Sequence, residues 1–358
     1  MFVKYQIYDL GTYKFLFMTS SKLTQIKTIN FNIIGGSGFI GTRLFKLLNA
    51  NANAKLTVID KIQNQALARS TVIADVRSVD QLRSAVSKAA VLINLAAEHK
   101  DDVSPKSLYD EVNVRGAKNI CTVAREKGIS KIIFTSSVAV YGFAPLETDE
   151  SGLIKPFHDY GRTKFEAEQV YKAWHTEDPE NRTLVIIRPT VVFGERNRGN
   201  VYNLLKQIVS GKFIMVGNGH NRKSMAYVEN VAAFIEYSID FKPGVHIYNY
   251  IDKPDFTMNT LVARVNEILG RSGKIKFRLP YYLGLLVGKL FDLIAFIARK
   301  KLAISSIRVK KFCANSVYES AISKTGFVPP VRLEEAIERT VRYEFLENHE
   351  KEPVFFSE

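Results

Sequence analysis

Asn32-Ile-Ile-Gly-Gly-Ser-Gly-Phe-Ile-Gly41 is the stretch that decides how this chain folds. An apolar strand runs into glycines at 35, 38 and 41, and the amphipathic run Thr42–Ala50 follows. A phosphate-binding turn needs that order. The first glycine allows the tight turn, the second lets the backbone approach a pyrophosphate, and the third lets helix pack on strand. The helix N-terminus then offers free N–H groups and a partial positive charge to phosphate oxygens. Gly35, Gly38, Phe39, Ile40 and Gly41 are therefore the candidate pyrophosphate-binding residues.

Outward from this turn, apolar runs alternate with helical patterns. Strands are expected at Phe31–Gly35, Lys55–Asp60, Thr71–Asp75, Val91–Ala97, Lys131–Ser137 and Thr183–Pro189. Helices are expected at Gly38–Ala50, Ser78–Ala89, Pro105–Lys127 and Tyr160–His175. Strands alternating with helices imply parallel βαβ units, and near-continuous apolar strands imply a sheet covered on both faces. The fold class is α/β: a Rossmann-type doubly wound parallel sheet with a smaller C-terminal substrate-binding lobe. Residues 30–190 form the dinucleotide domain and 191–358 mainly the lobe, with some strands returning to the sheet. After Gly194 the expected elements are helices Val201–Ser210, Glu229–Asp240 and Thr257–Leu269 and a strand Val245–Tyr250. Residues 1–29 read as a poorly defined extension, and Met18 is a second candidate start.

The 358 residues suit one large α/β domain with a smaller lobe, or two domains. Cys121 and Cys313 are the only cysteines and sit in unrelated segments, so neither a disulfide framework nor a metal site is expected. The net charge of +14 implies an anionic partner. Nucleic acid is excluded as that partner, because the Lys and Arg residues are scattered and no nucleic-acid-binding motif is present. Leu279–Ala298 is mostly apolar and is followed by Arg299-Lys300-Lys301. Lys289 and Asp292 near its middle argue against a spanning helix. An interfacial helix with a basic flank fits, so 279–303 is read as membrane-associating. A buried lobe helix with a solvated basic end is the competing reading.

Asp60 ends the second expected strand, where an acid bonds the ribose hydroxyls of NAD and repels the extra phosphate of NADP. Asp75 and Val76 follow the third strand, within reach of the adenine. Tyr160-Gly-Arg-Thr-Lys164 places a phenol and an ammonium one helical turn apart. The ammonium favours the phenolate, so the pair can serve as base and acid. Ser137, in Phe134-Thr-Ser-Ser-Val-Ala-Val-Tyr-Gly142, sits at a strand's carboxyl end, where it can hold the substrate hydroxyl.

Together these residues resemble the extended short-chain dehydrogenases/reductases, in the sugar epimerase/dehydratase branch, over about residues 30–345. The resemblance implies NAD as cofactor, Ser137, Tyr160 and Lys164 as the catalytic set, and Leu95, Ala96, Ala97, Asn113 and Pro189 as further residues at the cofactor. It also implies a homodimer by analogy. Two positions depart from nucleotide-sugar members. Val191 replaces an asparagine that helps hold the substrate diphosphate, and Lys223 stands where many carry an arginine. Lysine is a weaker partner for phosphate than a bidentate guanidinium.

Three longer runs, Ala96–Pro105, Phe193–Lys206 and Ser306–Ala314, resemble the bacterial 4-epimerases of lipid-linked N-acetylglucosamine. That resemblance implies a polyprenyl-diphosphate-linked sugar as substrate, C4 inversion for O-antigen-type surface polysaccharide, and work at the cytoplasmic membrane surface. Glu98, His99, Arg196 and Arg198 are the candidate residues for the sugar and diphosphate. His99 also reads as a structural histidine, and the two arginines as a solvated loop. The alternatives are a soluble UDP-N-acetylhexosamine 4-epimerase, a related dehydratase, and an NAD-binding scaffold or redox sensor without chemistry.

Overall fold

The computed structural model describes residues 6–10, 13–17, 28–88, 90–100, 103–275, 277–298, 305–349 and 352–356. Where a structureless extension was expected, β1 (Gln6–Leu10) and β2 (Tyr13–Phe17) pair as an antiparallel hairpin. The chain then builds β3 (Ile29–Ile34), α1 (Phe39–Leu48), β4 (Ala54–Asp60), β5 (Thr71–Ile73), α2 (Val79–Ala85) and β6 (Val91–Asn94). Next come α3 (Ser107–Tyr109), a π-helical stretch Asp110–Arg115, α4 (Gly116–Glu126), β7 (Lys131–Thr135), α5 (Asp159–Thr176) and β8 (Thr183–Pro189).

The last third contributes β9 (Val191–Phe193), α6 (Asn200–Val209), β10 (Met215–Val216), β11 (Arg222–Tyr227) and α7 (Val228–Tyr237). It continues through β12 (Gly244–Tyr250), β13 (Asp252–Thr257), α8 (Met258–Ile268) and β14 (Arg278–Leu279). Three helices follow: α9 (Tyr281–Ala298), α10 (Ser306–Cys313) and α11 (Leu333–Phe345).

Seven strands form one sheet in the order β12-β8-β7-β6-β3-β4-β5, and every pairing is parallel. The central strands are apolar on both faces. All seven residues of β8 are buried, and Ile33, Ile93, Ile133 and Val185 are sealed in one layer while Leu92, Ile132 and Ile186 are sealed in the other. Helices α2, α4 and α5 cover one face, and α1 and α7 the other. Chain order reverses between β3 and β6, so a crevice opens there at the strands' carboxyl ends. The expected strands Thr71–Asp75, Val91–Ala97 and Lys131–Ser137 end two or three residues early. Leu95 still donates to the Ile34 carbonyl and Ser136 to that of Ile187, and beyond those bonds the chain peels into the crevice.

The lobe has its own core around Phe193, Leu205, Met258, Leu261 and Leu333. It shares the sheet, because β12 is an edge strand of it.

Helix α9 breaks the pattern. Tyr282, Leu283, Leu286, Leu290, Leu293 and Phe296 are all exposed, and Phe296 is 82% accessible. The opposite side packs on α10 and β10: a Cβ on Gly288 would lie 2.7 Å from the Ser306 Cα, and one on Gly284 2.5 Å from a Val216 methyl carbon. Asp292 accepts the Ser306 N–H at 3.2 Å, at the start of α10. Its charge therefore faces protein rather than the exposed side of the helix. Asp292 serves the helix pair, and Lys289 stays exposed. Among the described residues α9 is the one helix long and apolar enough to cross a membrane by length and composition.

Candidate active site

The glycine turn has the shape its spacing implies. Gly35 has φ +74°, and a Cβ there would lie 2.6 Å from the Ala96 nitrogen. A Cβ on Gly41 would meet the Gly36 backbone at 2.5 Å. Nothing larger than hydrogen fits at either place, so β3, α1 and the end of β6 close on one another. Asp60 caps this turn. Its carboxylate accepts the Ser37 and Ile62 N–H groups, each at 3.1 Å. Burial pushes its pKa up, and those N–H bonds pull it back down.

Ser37 is a residue that sequence reasoning missed. Its hydroxyl is buried with no hydrogen-bond partner, in the turn itself. A cradle closed to any Cβ, an orphaned hydroxyl and an acid at the end of β4 together fit a dinucleotide whose pyrophosphate rests on the turn.

Asn94 and Asn113 hold the next segment. Asn94 accepts the Ala96 N–H at 3.0 Å and donates to the Tyr171 hydroxyl at 2.7 Å. Asn113, in the π-helical stretch, brackets Glu98 by accepting its N–H and donating to its carbonyl, and also donates to Thr163 at 2.9 Å. One amide thus links the loop after β6 to the helix turn between Tyr160 and Lys164. Leu95, Ala96 and Ala97 line this crevice edge, partly buried. His99 follows them, and burial pushes its pKa down. Asp75 is placed differently from the expectation. It grips Arg77 with both carboxylate oxygens, at 2.7–3.1 Å, and the Val76 carbonyl accepts from Asn119. The Asp75 carboxylate is therefore committed within its own turn.

Tyr160 and Lys164 lie in the first turns of α5, whose N-terminus is capped by His158 Nδ1 accepting from the Gly161 N–H. A Cβ on Gly161 would lie 2.4 Å from the Ala139 carbonyl, so glycine lets the helix start press against the turn that begins at Ser137. The Ser137 side chain acts on the Tyr160 phenol. Burial nevertheless pushes the phenol up to about 12, with the Ser137 hydroxyl acting against that shift. Burial also brings the Lys164 ammonium down to about 7, and Glu168 acts against that shift. The Lys164 nitrogen lies 4.3 Å from the centre of the Phe134 ring. The expectation that this ammonium ionises the phenol is therefore corrected: in the protein alone, burial dominates both groups. A cavity of about 440 Å³ opens over Tyr160, lined also by Val103, Tyr109, Phe157 and His158.

Two further expectations, those for Arg196 and Arg198, change. Arg196 donates through Nε to the Pro353 carbonyl at 2.7 Å, and its own N–H goes to Glu344. Arg198 pairs with Glu344 at 2.7 Å and stacks on Tyr202. Both arginines hold the C-terminal part of the chain through Pro353 and Glu344. Arg188 belongs to the buried strand β8, where it pairs with Glu168 at 2.6 Å; only Pro189 ends the strand toward the crevice. Cys313 lines an open cavity of about 510 Å³ with Asn218, Asn221, Tyr281 and Lys310, while Cys121 is buried.

A parallel sheet whose carboxyl edge is shaped for a dinucleotide defines a Rossmann-type nucleotide-cofactor protein. Residues 32–250 match the NAD dependent epimerase/dehydratase family, and the chain belongs to it, with NAD as its cofactor. The N-acetyl-alpha-D-glucosaminyl-diphospho-ditrans,octacis-undecaprenol 4-epimerase of Escherichia coli O157:H7 is 48% identical over 332 residues, covering 92% of this chain and 99% of its own. A sterol-4-alpha-carboxylate 3-dehydrogenase of Candida albicans is 29% identical over 86% of this chain and 95% of its own. In fold, the chain is similar to the UDP-glucose 4-epimerase of Thermotoga maritima, with a TM-score of 0.69 at 20% identity over 89% of this chain and all of that one.

Proposed function

We propose that this protein is an NAD-dependent 4-epimerase that interconverts N-acetylglucosaminyl- and N-acetylgalactosaminyl-diphospho-undecaprenol. The observation that carries the reading is the near full-length identity of 48% to the Escherichia coli enzyme of that name. The two departures from soluble nucleotide-sugar members, Val191 and Lys223, support it, as does a lobe that carries an exposed apolar helix.

Bound NAD supplies a hydride acceptor and donor at C4 of the sugar. With NAD bound, the positive charges of the cofactor and of the Lys164 ammonium would favour the Tyr160 phenolate, which takes the C4 hydroxyl proton while Ser137 holds that oxygen. The sugar becomes a 4-keto species, turns about its bonds to the diphosphate and presents its other face. Tyr160 then returns the proton, and Lys164 holds the cofactor's ribose side. Glu98 and His99 lie on the crevice edge that the sugar approaches.

The substrate's polyprenyl chain keeps it in a bilayer, and α9 suits that surface. Its exposed face, about 27 Å long, is apolar apart from Lys289. Its other face is covered by α10, which carries Arg308, Lys310 and Lys311 and so cannot follow it into hydrocarbon. The helix thus lies in the interface plane, with basic residues toward anionic headgroups at the cytoplasmic face of the inner membrane. A homodimer belongs to this reading, and light scattering of the detergent-solubilised protein checks it.

The test is direct. The purified protein is incubated with the lipid-linked N-acetylglucosamine in vesicles, and separately with UDP-N-acetylglucosamine. Sugars are then released by mild acid and the hexosamine epimers separated. Galactosamine from the lipid-linked arm is the expected result. Turnover of the soluble sugar alone would replace this reading with a nucleotide-sugar epimerase.

A further inference from the structure

One buried ion pair remains unused by the chemistry described so far. The Glu168 side chain is fully buried and that of Arg188 is 3% accessible. Glu168 Oε1 accepts from Arg188 Nε at 2.9 Å and from the Ser136 hydroxyl at 2.6 Å, and Oε2 accepts from Arg188 Nη2 at 2.6 Å. The remaining Arg188 nitrogen donates to the Tyr141 hydroxyl at 2.7 Å, which in turn donates to Asn249 at 2.8 Å. Removing two charges from water costs several kcal/mol per ion, and a packed apolar pair of like volume is often as stable or more so. Stability alone therefore does not account for this pair.

Its position does. Glu168 lies one helical turn beyond Lys164 and two beyond Tyr160, so the three share a face of α5. Ser136 precedes Ser137 at the end of β7, and Tyr141 closes the turn that Ser137 opens. Arg188 immediately precedes Pro189 at the end of β8. A single carboxylate thus ties together the segments that carry Ser137, the Tyr160–Lys164 pair and the crevice end of β8.

We infer that Glu168, clamped by Arg188 and Ser136, is a positioning residue that sets how the Ser137 turn meets the Tyr160–Lys164 face of α5 and holds a negative charge one helical turn from Lys164. The groups facing Lys164 agree with this. On its own helix they are Tyr160 and Glu168. From β7 comes the Phe134 ring, and from the loop after β6 comes His99, whose own protonation Lys164 opposes. Among the described residues Glu168 is the one anion acting on Lys164, and it opposes the loss of its proton. Arg188, from β8, holds that anion in place without reaching the lysine itself.

The inference rests on Tyr160 and Lys164 acting as proposed, and its test separates the two ideas. Three variants of the full chain are compared: Glu168→Gln, the double variant Glu168→Gln/Arg188→Met, and Ser136→Ala. For each, kcat, KM, NAD content and the pH profile of epimerisation are measured. Glu168→Gln leaves a guanidinium buried without its partner and lowers thermal stability; the double variant removes that charge and recovers stability. The inference expects both to lose about 10–100-fold in kcat, with KM changed less than the rate. In both, the alkaline limb of the profile moves to lower pH, because Lys164 sheds its proton earlier without the carboxylate. Ser136→Ala gives a smaller loss of the same kind.

A double variant with the wild-type rate and profile would make the pair merely structural and overturn the inference. So would a Ser136→Ala protein indistinguishable from wild type. If Tyr160→Phe itself retained turnover, the failure would instead belong to the proposed function.

Discussion

Helices α5 and α9 are both 18 residues long, and they break the inside–outside rule in opposite directions. α5 buries Lys164 and Glu168, at 2% and 0% accessible, beside Trp174 and Tyr171. α9 buries only two glycines and turns leucines, two isoleucines and a phenylalanine outward. Each departure costs free energy in water: desolvated charge in one helix, exposed apolar surface in the other. Neither is needed to close the fold, whose core is already complete between the sheet and its flanking helices. The contrast shows where this fold serves chemistry inside and a partner outside. The buried charges lie within reach of the crevice, and the exposed apolar face lies on the lobe.

The sharpest way to break this contrast acts on α5. Tyr160→Phe removes one hydroxyl and leaves the ring packed. Epimerisation falls by about 10²–10⁴-fold, while the NAD content of the purified protein is unchanged. A variant with near-normal turnover would leave the buried face of α5 without a catalytic purpose.

On α9 the corresponding change is Leu286→Glu with Leu290→Glu and Leu293→Glu. Taking three leucines out of an apolar phase at about 1.5 kcal/mol each weakens vesicle binding by more than about 10³-fold. Circular dichroism and thermal stability hold, because all three side chains are more than half exposed. Sedimentation with liposomes of mixed anionic and zwitterionic lipid reads the loss. Unchanged sedimentation would mean that α9 serves something other than a bilayer.

A pH experiment sharpens the electrostatic side. Burial lowers Lys164 to about 7, well below its ordinary value, so over the range above 7 the unfolded chain binds more protons than the native one. Stability of the cofactor-free protein therefore gains a rising contribution from this residue between pH 7 and pH 10. In Lys164→Met that contribution disappears, and the difference in urea midpoints between variant and wild type narrows as pH increases. A constant difference would place the lysine in a solvated setting.

The smallest effect belongs to Arg198→Ala. It leaves Glu344 without its ion-pair partner and costs about 1–2 kcal/mol of stability, with KM for the lipid-linked sugar unmoved. A large rise in KM would return Arg198 to the diphosphate.

The legibility of these regions follows from sequence distance. The glycine turn, Asp60, Ser137 and the Tyr160–Lys164 pair were readable because each is a local pattern: a strand into a turn, a strand end, one helical turn. The parallel sheet followed from the alternation of strand and helix. The Glu168–Arg188 pair is 20 residues apart and its extension to Asn249 a further 61, and nothing in the spacing announces either. Arg196 and Arg198 looked free because their partners, Glu344 and Pro353, lie about 150 residues on, in the last stretch of the chain. Asp292 appeared to be a charge in an apolar helix until α10 folded back to offer it an N–H. The pairing of residues 6–10 with 13–17 was missed for a different reason: it is local, but residues 1–29 were read only as a poorly defined extension.

The claim on which all of this depends is that the sugar is oxidised and reduced again at C4 within one pocket. Lipid-linked N-acetylglucosamine carrying deuterium at C4 tests it most directly. Retention of the label at C4 in the N-acetylgalactosamine product is the predicted result, and complete exchange of that label for solvent hydrogen would contradict the account.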